Sequence, residues 1–175
     1  MEQKDFIATM KRRTAVTAVG PSALRGQGKG VLGAAQTFLS KMDLSRVSMM
    51  NREQFYHWLD KQTYLLVKQL PARGAPWGTA RKAINLFLRD ILYNQYLSRA
   101  FGMKNIEHWL EVPLDSAVAS GLKHEAGRDG LPAWPGLKNL KKDISQDFQN
   151  FALHIAEENG IARIHLDVYL WLENR

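Results

Sequence analysis

A lysine and an aspartate on either side of an apolar segment are the residues of this sequence best suited to covalent chemistry. Lys82 precedes the apolar run, and Asp115 follows Pro113 further along the chain. A lysine amine that has lost its proton is a nucleophile, and a nearby carboxylate can accept that proton. Both residues also have ordinary interpretations, since lysines are common on helices of basic proteins and an aspartate here can cap a new helix.

A glycine-bounded turn stands just before this lysine. The segment Gly74-Ala-Pro-Trp-Gly78, within the turn 71–78, predicts a tight hairpin between two helices, with Lys82 about one turn into the second. Backbone N–H groups of such a hairpin and the N-terminus of the following helix would form a seat for a phosphate group. The hairpin therefore predicts an anion-binding surface beside the lysine.

A second glycine-rich segment, residues 20–33, is also basic. Its sequence Gly26-Gln-Gly28-Lys-Gly30 resembles a nucleotide-binding loop, but no strand precedes it and no Gly-Lys-Ser/Thr triplet follows, so neither dinucleotide nor P-loop binding is supported. Arg25 and Lys29 could instead grip a phosphate. A flexible loop before a helix that starts near residue 31 is an equally good interpretation.

The elements that must position these residues are helical. Apolar residues recur at three- and four-residue intervals over 52–70 and 84–97 and again around 148–156, where Gly160 is expected to end the helix. Shorter helices are expected over 31–41, 106–111, 116–123 and 161–173. The alternation Arg163-Ile-His-Leu-Asp-Val168 could also begin a strand, but no partner strand is evident. We predict a single all-α domain of two packed helical lobes, with a long loop over 124–137.

Composition limits the classes of protein that this chain can belong to. The 175 residues carry a net charge of +7, which favours polyanionic partners, although a solvated basic surface explains the charge equally well. With no cysteine and no paired spacing among the five histidines, thiol chemistry is excluded and neither a metal site nor another cofactor is expected. No apolar run spans a bilayer and no signal peptide precedes the domain, so we expect a soluble cytoplasmic protein, nucleoid-associated in a prokaryote.

Three elements together resemble the helix-hairpin-helix DNA glycosylase superfamily. Lys82-Ala-Ile-Asn-Leu-Phe-Leu-Arg89 is similar to the lysine helix of its archaeal 8-oxoguanine glycosylase branch, which has an unusually long stretch between lysine and aspartate. Val112-Pro-Leu-Asp115 resembles that branch's proline-x-aspartate segment. His165-Leu-Asp167-Val-Tyr-Leu-Trp171 is similar to its C-terminal Asp-x-x-x-Trp element. The resemblance covers roughly residues 52–173.

The resemblance implies a role for each matching residue. Lys82 would attack the anomeric carbon of the sugar to form a Schiff base, and Asp115 would accept the lysine proton or stabilise the oxocarbenium-like charge. A base extruded from double-stranded DNA would lie in a pocket between the lobes, against Asp167 and Trp171, with Arg89 where the family has a second lysine. The expected product is an excised oxidised or otherwise modified base, with 8-oxoguanine as the first choice, followed by strand cleavage by a monomer. The residues expected at the DNA backbone are Gly74, Trp77, Gly78, Arg81, Arg25 and Lys29.

Two other functions fit parts of the sequence. Arg52-Glu-Gln-Phe-Tyr-His57 has the arginine-x4-histidine spacing of helical ribonucleases, in which arginine holds the phosphate and histidine acts as acid or base. A hairpin of this kind can also bind the DNA backbone without catalysing a reaction. Three aromatic residues of the lysine helix and its C-terminal extension are interpreted as packing: Phe87, Tyr93 and Tyr96.

Overall fold

The computed structural model describes residues 3–71, 77–128 and 130–173, with side chains as far as residue 170. The all-α prediction is confirmed: within these ranges the chain forms α-helices and short 3₁₀ helices, and no strand. The α-helices are α1 (Gln3–Ala18), α2 (Val31–Lys41), α3 (Arg52–Gln69), α4 (Trp77–Tyr93), α5 (Gln95–Phe101), α6 (Ser116–Ala126), α7 (Lys142–Glu158) and α8 (Leu166–Glu173). The 3₁₀ helices are Val47–Met49, Met103–Trp109 and Arg163–His165.

The helices α2 and α3 lie where the apolar periodicity places them, but the expected helix over 84–97 is two helices. α4 ends at Tyr93, and the Asn94 side chain accepts hydrogen bonds from the backbone N–H groups of Tyr96 and Leu97, each at 3.1 Å. An asparagine in this position satisfies donors that would otherwise lack partners and starts a new helix. The apolar pattern continues through the break, which is why periodicity alone does not reveal it.

Two further elements differ from the sequence-based prediction. The N-terminal helix α1 was not expected, because its charged residues hide the few apolar positions that pack inward, such as Ala15. The segment expected as a helix over 106–111 is the 3₁₀ helix Met103–Trp109. The region from 161 to 173 is helical, as favoured over the strand alternative, but it begins with a 3₁₀ turn before α8. Gly160, which follows α7, has a positive φ of 64° as a helix-ending glycine should.

The buried apolar side chains form two clusters, in agreement with the expected two lobes. One cluster contains side chains of α1–α5, such as Leu39, Phe55 and Phe87. The other contains side chains of α6–α8 and the segments around them, such as Leu122 and Phe148. Burial of apolar area of this kind is the main source of folding free energy.

A buried polar network lies at the junction of the two clusters. Arg81 donates to both carboxylate oxygens of Glu111, at 2.8 and 3.1 Å, and Asn85 donates to Glu111 at 3.0 Å. Arg163 donates to the backbone oxygens of Leu110 and Gln149, at 3.3 and 3.0 Å. Burial by itself would raise the pKa of Glu111, but the charges of Arg81 and Arg163 lower it. Because buried charges are tolerated only with partners, this network fixes how α4 meets the second lobe.

The beginning of α4 is covered by another part of the chain. A Cβ added at Gly78 would lie 2.5 Å from the backbone oxygen of Leu137 and 2.7 Å from Cβ of Leu140. The expected 124–137 loop begins later than predicted, because α6 continues to Ala126. Within it Leu131 is buried, and Trp134 packs edge-on against Phe148. The end of this connection therefore seals the first turn of α4 instead of leaving it open to solvent.

Candidate functional site

One face of α4 lines a cleft of 570 Å³. The residues that this helix contributes are four, seven, eight and eleven positions after Lys82, which places them along a single side of an α-helix. The opposite walls come from the 18–23 segment, the N-terminus of α6 and α8. The residues that line the cleft are Ala18, Ser22, Ala23, Lys82, Leu86, Arg89, Asp90, Tyr93, Asp115, Asp167 and Val168.

Lys82 is the most enclosed cation of this cleft. Its residue surface is 8% exposed, and its Nζ donates to the backbone oxygen of Ala23 at 2.9 Å and to Asp115 Oδ2 at 3.1 Å. The contact with Asp115 brings together two residues that lie 33 positions apart in the chain. The candidate nucleophile and the candidate proton acceptor are therefore in direct hydrogen-bond contact.

Asp115 has two functions in this geometry, one for each carboxylate oxygen. Its Oδ1 accepts hydrogen bonds from the backbone N–H groups of Ala117 and Val118, each at 3.0 Å, and so caps α6. Its Oδ2 accepts from Lys82. The helix-cap interpretation of Asp115 is thus confirmed, and the capping carboxylate is also within hydrogen-bond distance of Lys82.

Arg89 and Asp167 form an ion pair across the cleft. Arg89 Nη1 donates to Asp167 Oδ2, while Nε and Nη2 of the same guanidinium lie 2.9 and 2.8 Å from Asp90 Oδ1. Burial alone would lower the pKa of Arg89, but Asp167 and Asp90 raise it. Burial raises the pKa of Asp167, and the charge of Arg89 opposes this without outweighing it. The pair therefore places a guanidinium and a carboxylate on the wall of the cleft.

The 20–30 segment forms the rim of the cleft near Lys82. Ser22 and Ala23 line the cavity, and Thr79 Oγ1 donates to Gln27 Oε1 at 2.7 Å, which ties the segment to the first turns of α4. Arg25 and Lys29 are exposed on this segment. The segment that contributes Ser22 and Ala23 to the cleft therefore also carries the two exposed cations for which the sequence suggested phosphate contacts.

The cleft also contains residues that sequence analysis did not assign to it. Tyr93, interpreted as packing, is 46% exposed and lines the cavity, whereas Phe87 is fully buried as expected. Tyr96 is also exposed and meets Phe6 edge-on. The sequence could have placed Tyr93 in the cleft, because it is four positions after Arg89 and so lies on the same face of α4.

Two of the residues expected to contact the DNA backbone, Arg81 and Gly78, are buried. Arg81 is 5% exposed, and its guanidinium binds Glu111, Thr63 Oγ1 at 2.8 Å and Asp60 Oδ1 at 2.9 Å. Gly78 is buried beneath Leu137 and Leu140. Both residues are therefore covered by protein, and the Arg81 guanidinium is already paired with carboxylates.

The remaining predicted contacts have mixed outcomes. Trp77 is half-buried and lies under the Arg81 guanidinium, with 5.2 Å between Cζ and the ring centroid. Gly74 and the rest of the expected hairpin over 72–76 lie outside the described residues, and so does the side chain of Trp171. The helix-hairpin-helix element and the aromatic wall expected from Trp171 therefore stay predictions.

The two residues that suggested a ribonuclease, Arg52 and His57, lie on the exposed part of α3. Arg52 and His57 are both exposed, and Arg52 lies over the ring of Tyr56 at 5.9 Å. Five positions on an α-helix correspond to about 140° around the axis, so the two side chains leave the helix in different directions. Neither residue lines the cleft that contains Lys82.

Neither a metal site nor a membrane-spanning helix among the described residues, nor a known relative, adds to the assignment of this cleft. Among the residues that the structure describes, no group of three or more His, Asp or Glu side chains could hold a metal ion. No helix in these same ranges is long and apolar enough to cross a membrane. Comparison of the chain with protein-family models, with characterised proteins and with solved structures found no match.

Proposed function

We propose that this protein is a DNA glycosylase with an associated lyase activity, which removes an oxidised or otherwise modified base through a Schiff base on Lys82. The observation that carries the proposal is the contact between Lys82 Nζ and Asp115 Oδ2, 3.1 Å long, inside a cleft of 570 Å³. The resemblance of the lysine helix, the aspartate segment and the C-terminal element to archaeal 8-oxoguanine glycosylases supports the same reaction.

The contact supports a specific first step. Asp115 takes a proton from the Lys82 ammonium, and the freed amine attacks C1′ of the deoxyribose. The bond between C1′ and the base nitrogen breaks, and the base leaves with the electron pair and gains a proton. Opening of the sugar ring then gives an iminium between Lys82 and C1′. Loss of a C2′ proton from this iminium expels the 3′ phosphate and cuts the strand.

The other side of the cleft supports binding of an extruded base. Arg89 offers N–H donors to carbonyl oxygens of a base, and Asp167 offers oxygen acceptors to its N–H groups. Arg25 and Lys29 on the rim, together with the net charge of +7, favour the phosphates of double-stranded DNA. We propose that one chain is sufficient, because the residues assigned to both steps belong to the same cleft.

Borohydride trapping tests the mechanism directly. The wild-type protein is mixed with duplex oligonucleotides that contain an abasic site or 8-oxoguanine, and borohydride reduces any iminium to a stable amine. We expect a covalent protein–DNA band with the wild type and none with Lys82→Gln. Lys68→Gln is the matched control, since Lys68 is on α3, where its Nζ lies over the ring of Tyr64.

The same experiment discriminates the rival functions. RNA cleavage that requires His57, with no trapped band on any DNA, would favour the ribonuclease. Binding of duplex DNA by the wild type with neither trapping nor cleavage would favour a non-catalytic module. Under either rival function Lys82→Gln should bind or cleave nucleic acid as the wild type does. Under the glycosylase proposal the same variant should lose the trapped band.

A further inference from the structure

The segment over 20–30 is attached to one face of α4 by two hydrogen bonds. Lys82 Nζ donates to the backbone oxygen of Ala23 at 2.9 Å, and Thr79 Oγ1 donates to Gln27 Oε1 at 2.7 Å. Thr79 and Lys82 are three positions apart in α4, so they lie on the same face of the helix. Ala23 and Gln27 are four positions apart in the facing segment. The two contacts therefore hold the segment at two neighbouring points of α4.

Backbone turns connect the two points of attachment. Ala23 N–H donates to the backbone oxygen of Gly20 at 3.0 Å. In the next turn, Gln27 N–H donates to the backbone oxygen of Leu24 at 3.2 Å. The Leu24 side chain between the two turns is buried in the first cluster, but apolar burial has no preferred direction. The directional contact at Gln27 therefore determines how the segment is turned about Leu24, and with it where the Ala23 carbonyl points.

The Ala23 carbonyl matters most after Lys82 has lost its proton. In the resting site the ammonium is held by the charge of Asp115 and by the carbonyl, at 3.1 and 2.9 Å. Once the proton has passed to Asp115, both partners of that ion pair are neutral and their attraction falls. The neutral amine still donates an N–H to the carbonyl, so its lone pair cannot face the 20–30 segment. A lysine side chain is otherwise a flexible four-carbon stem, and the carbonyl restricts where its amine lies.

We propose that Gln27 and Thr79 are positioning residues, whose hydrogen bond holds the Ala23 carbonyl where it orients the Lys82 amine for attack. Neither residue lines the cleft, so both act through Ala23 and do not touch the reacting atoms. The inference rests on the proposed function, because it needs Lys82 as the nucleophile. Orientation of this kind has a large effect on rate, since a displacement of about 1 Å can slow a reaction about a hundredfold.

The test compares two substitutions that separate the hydroxyl of Thr79 from its methyl group. Thr79→Val removes the hydroxyl, whereas Thr79→Ser keeps it and removes the methyl at the same fully buried position. Both are assayed by borohydride trapping on saturating abasic DNA, below the unfolding midpoint of every variant, so that the rate reports the reaction and not binding or folding. We expect Thr79→Val to trap about tenfold more slowly than the wild type. Thr79→Ser should trap at close to the wild-type rate.

A substitution of Gln27 tests whether the two residues act through one contact. Gln27→Met keeps an unbranched side chain of similar length and removes the acceptor, so it should slow trapping as much as Thr79→Val does. The double variant Gln27→Met/Thr79→Val should be no slower than either single variant, because the same hydrogen bond is lost in all three. Thr17→Val is the matched control, since the Thr17 hydroxyl donates to backbone oxygens of α1, and it should trap as the wild type does.

The outcomes distinguish this inference from the proposed function. A wild type that traps abasic DNA, with Thr79→Val or Gln27→Met trapping at the same rate, would overturn the inference and leave the proposed function intact. Equal losses in Thr79→Val and Thr79→Ser would also overturn it, because the hydroxyl would then not be the group that matters. So would losses that multiply in the double variant. A wild type that fails to trap abasic DNA would overturn the proposed function and this inference with it.

Discussion

Asp115 holds Lys82 with one oxygen and the start of a helix with the other. The 3.1 Å contact from Lys82 Nζ ends on Oδ2, while Oδ1 accepts the N–H groups of Ala117 and Val118. Because the cap fixes the carboxylate relative to α6, the position of the proposed proton acceptor depends on the backbone and not on a flexible side chain alone. Substitutions of Asp115 that keep or remove the cap can therefore separate its proposed chemical contribution from its structural one.

Replacing Asp115 by Asn should keep the cap and remove the proton acceptor. Asparagine and aspartate are about equally good at a helix N-cap, so the midpoint of thermal unfolding should fall only by what the lost ion pair with Lys82 contributes. The rate of borohydride trapping on 8-oxoguanine DNA should fall by about a hundredfold or more, as is typical for loss of a general base. A time course of trapping measures the effect on the reaction, and thermal unfolding measures the effect on stability.

The control for this variant is Asp115→Ala, which removes cap and acceptor together. It should trap as poorly as Asp115→Asn and be about 1 kcal/mol less stable than that variant, because only the alanine removes the cap. If Asp115→Asn trapped at the wild-type rate, Asp115 would be a helix cap only and the lysine would need another base.

Replacing Gly78 by Ala should destabilise the protein because the start of α4 is covered. The new Cβ would lie 2.5 Å from Leu137 O and 2.7 Å from Leu140 Cβ, and relief requires the 137–140 segment to move. Overpacking of this kind typically costs about 1–3 kcal/mol. Urea unfolding of the two proteins gives the difference in the free energy of unfolding.

Gly33→Ala is the matched control for the previous variant. Gly33 lies inside α2 with no atom within 4 Å of an added Cβ, so alanine there should stabilise the helix by about 0.5–1 kcal/mol. Equal effects of the two substitutions would show that the first turn of α4 is open, and would restore Gly78 as a candidate for phosphate contact.

The sequence was sufficient to predict those parts of the fold and site that depend on periodicity or on a local motif. The helices α2 and α3 follow from apolar spacing, and the pairing of Lys82 with Asp115 follows from a resemblance that spans both. α1 escaped prediction because its buried residues, Thr14, Ala15 and Ala18, are small and the helix carries many charges. The end of α4 escaped because a single capping residue, Asn94, interrupts a continuous apolar pattern.

The roles of charged residues were harder to predict, because partners distant in sequence decide them. Arg81 looked like a cation for phosphate, but Glu111 binds it from thirty positions away in the chain. Tyr93 looked like packing until His165, 72 positions distant, was placed against its hydroxyl. Burial and pairing of this kind are tertiary properties, and no local pattern in one sequence encodes them.

The Glu111→Gln variant tests the buried network through its pH dependence. The charges of Arg81 and Arg163 lower the pKa of Glu111 in the folded protein despite its burial. A carboxyl whose folded pKa lies below its unfolded value stabilises the fold at pH above the unfolded pKa, and this contribution is lost as pH falls towards the folded pKa. At neutral pH the variant should be less stable by about 3 kcal/mol, because two buried arginines lose their anionic partner.

Chemical unfolding of the wild type and Glu111→Gln across the acid range measures this contribution. The difference in the free energy of unfolding should be largest at neutral pH and should shrink as the pH falls. Glu157→Gln, at an exposed position of α7, should match the wild type at every pH. A difference that grew as the pH fell would mean that the carboxyl is not ionised in the folded protein, and a difference that did not vary would mean that folding leaves the pKa of Glu111 unchanged.

Arg25 and Lys29 should contribute to DNA binding through phosphates at the rim of the cleft. Both are exposed on the segment that Gln27 ties to Thr79 and that Ala23 ties to Lys82. Each cation that neutralises a phosphate releases counterions, so the slope of log K against log salt should become shallower by about 1 for each side chain removed. The double variant Arg25→Ala/Lys29→Ala should therefore reduce the slope by about 2, as measured by fluorescence anisotropy with duplex DNA. Lys68→Ala on α3 should leave the slope unchanged. If Lys68→Ala reduced the slope as much per side chain as the double variant does, DNA binding would depend on net charge and not on the cations of the rim.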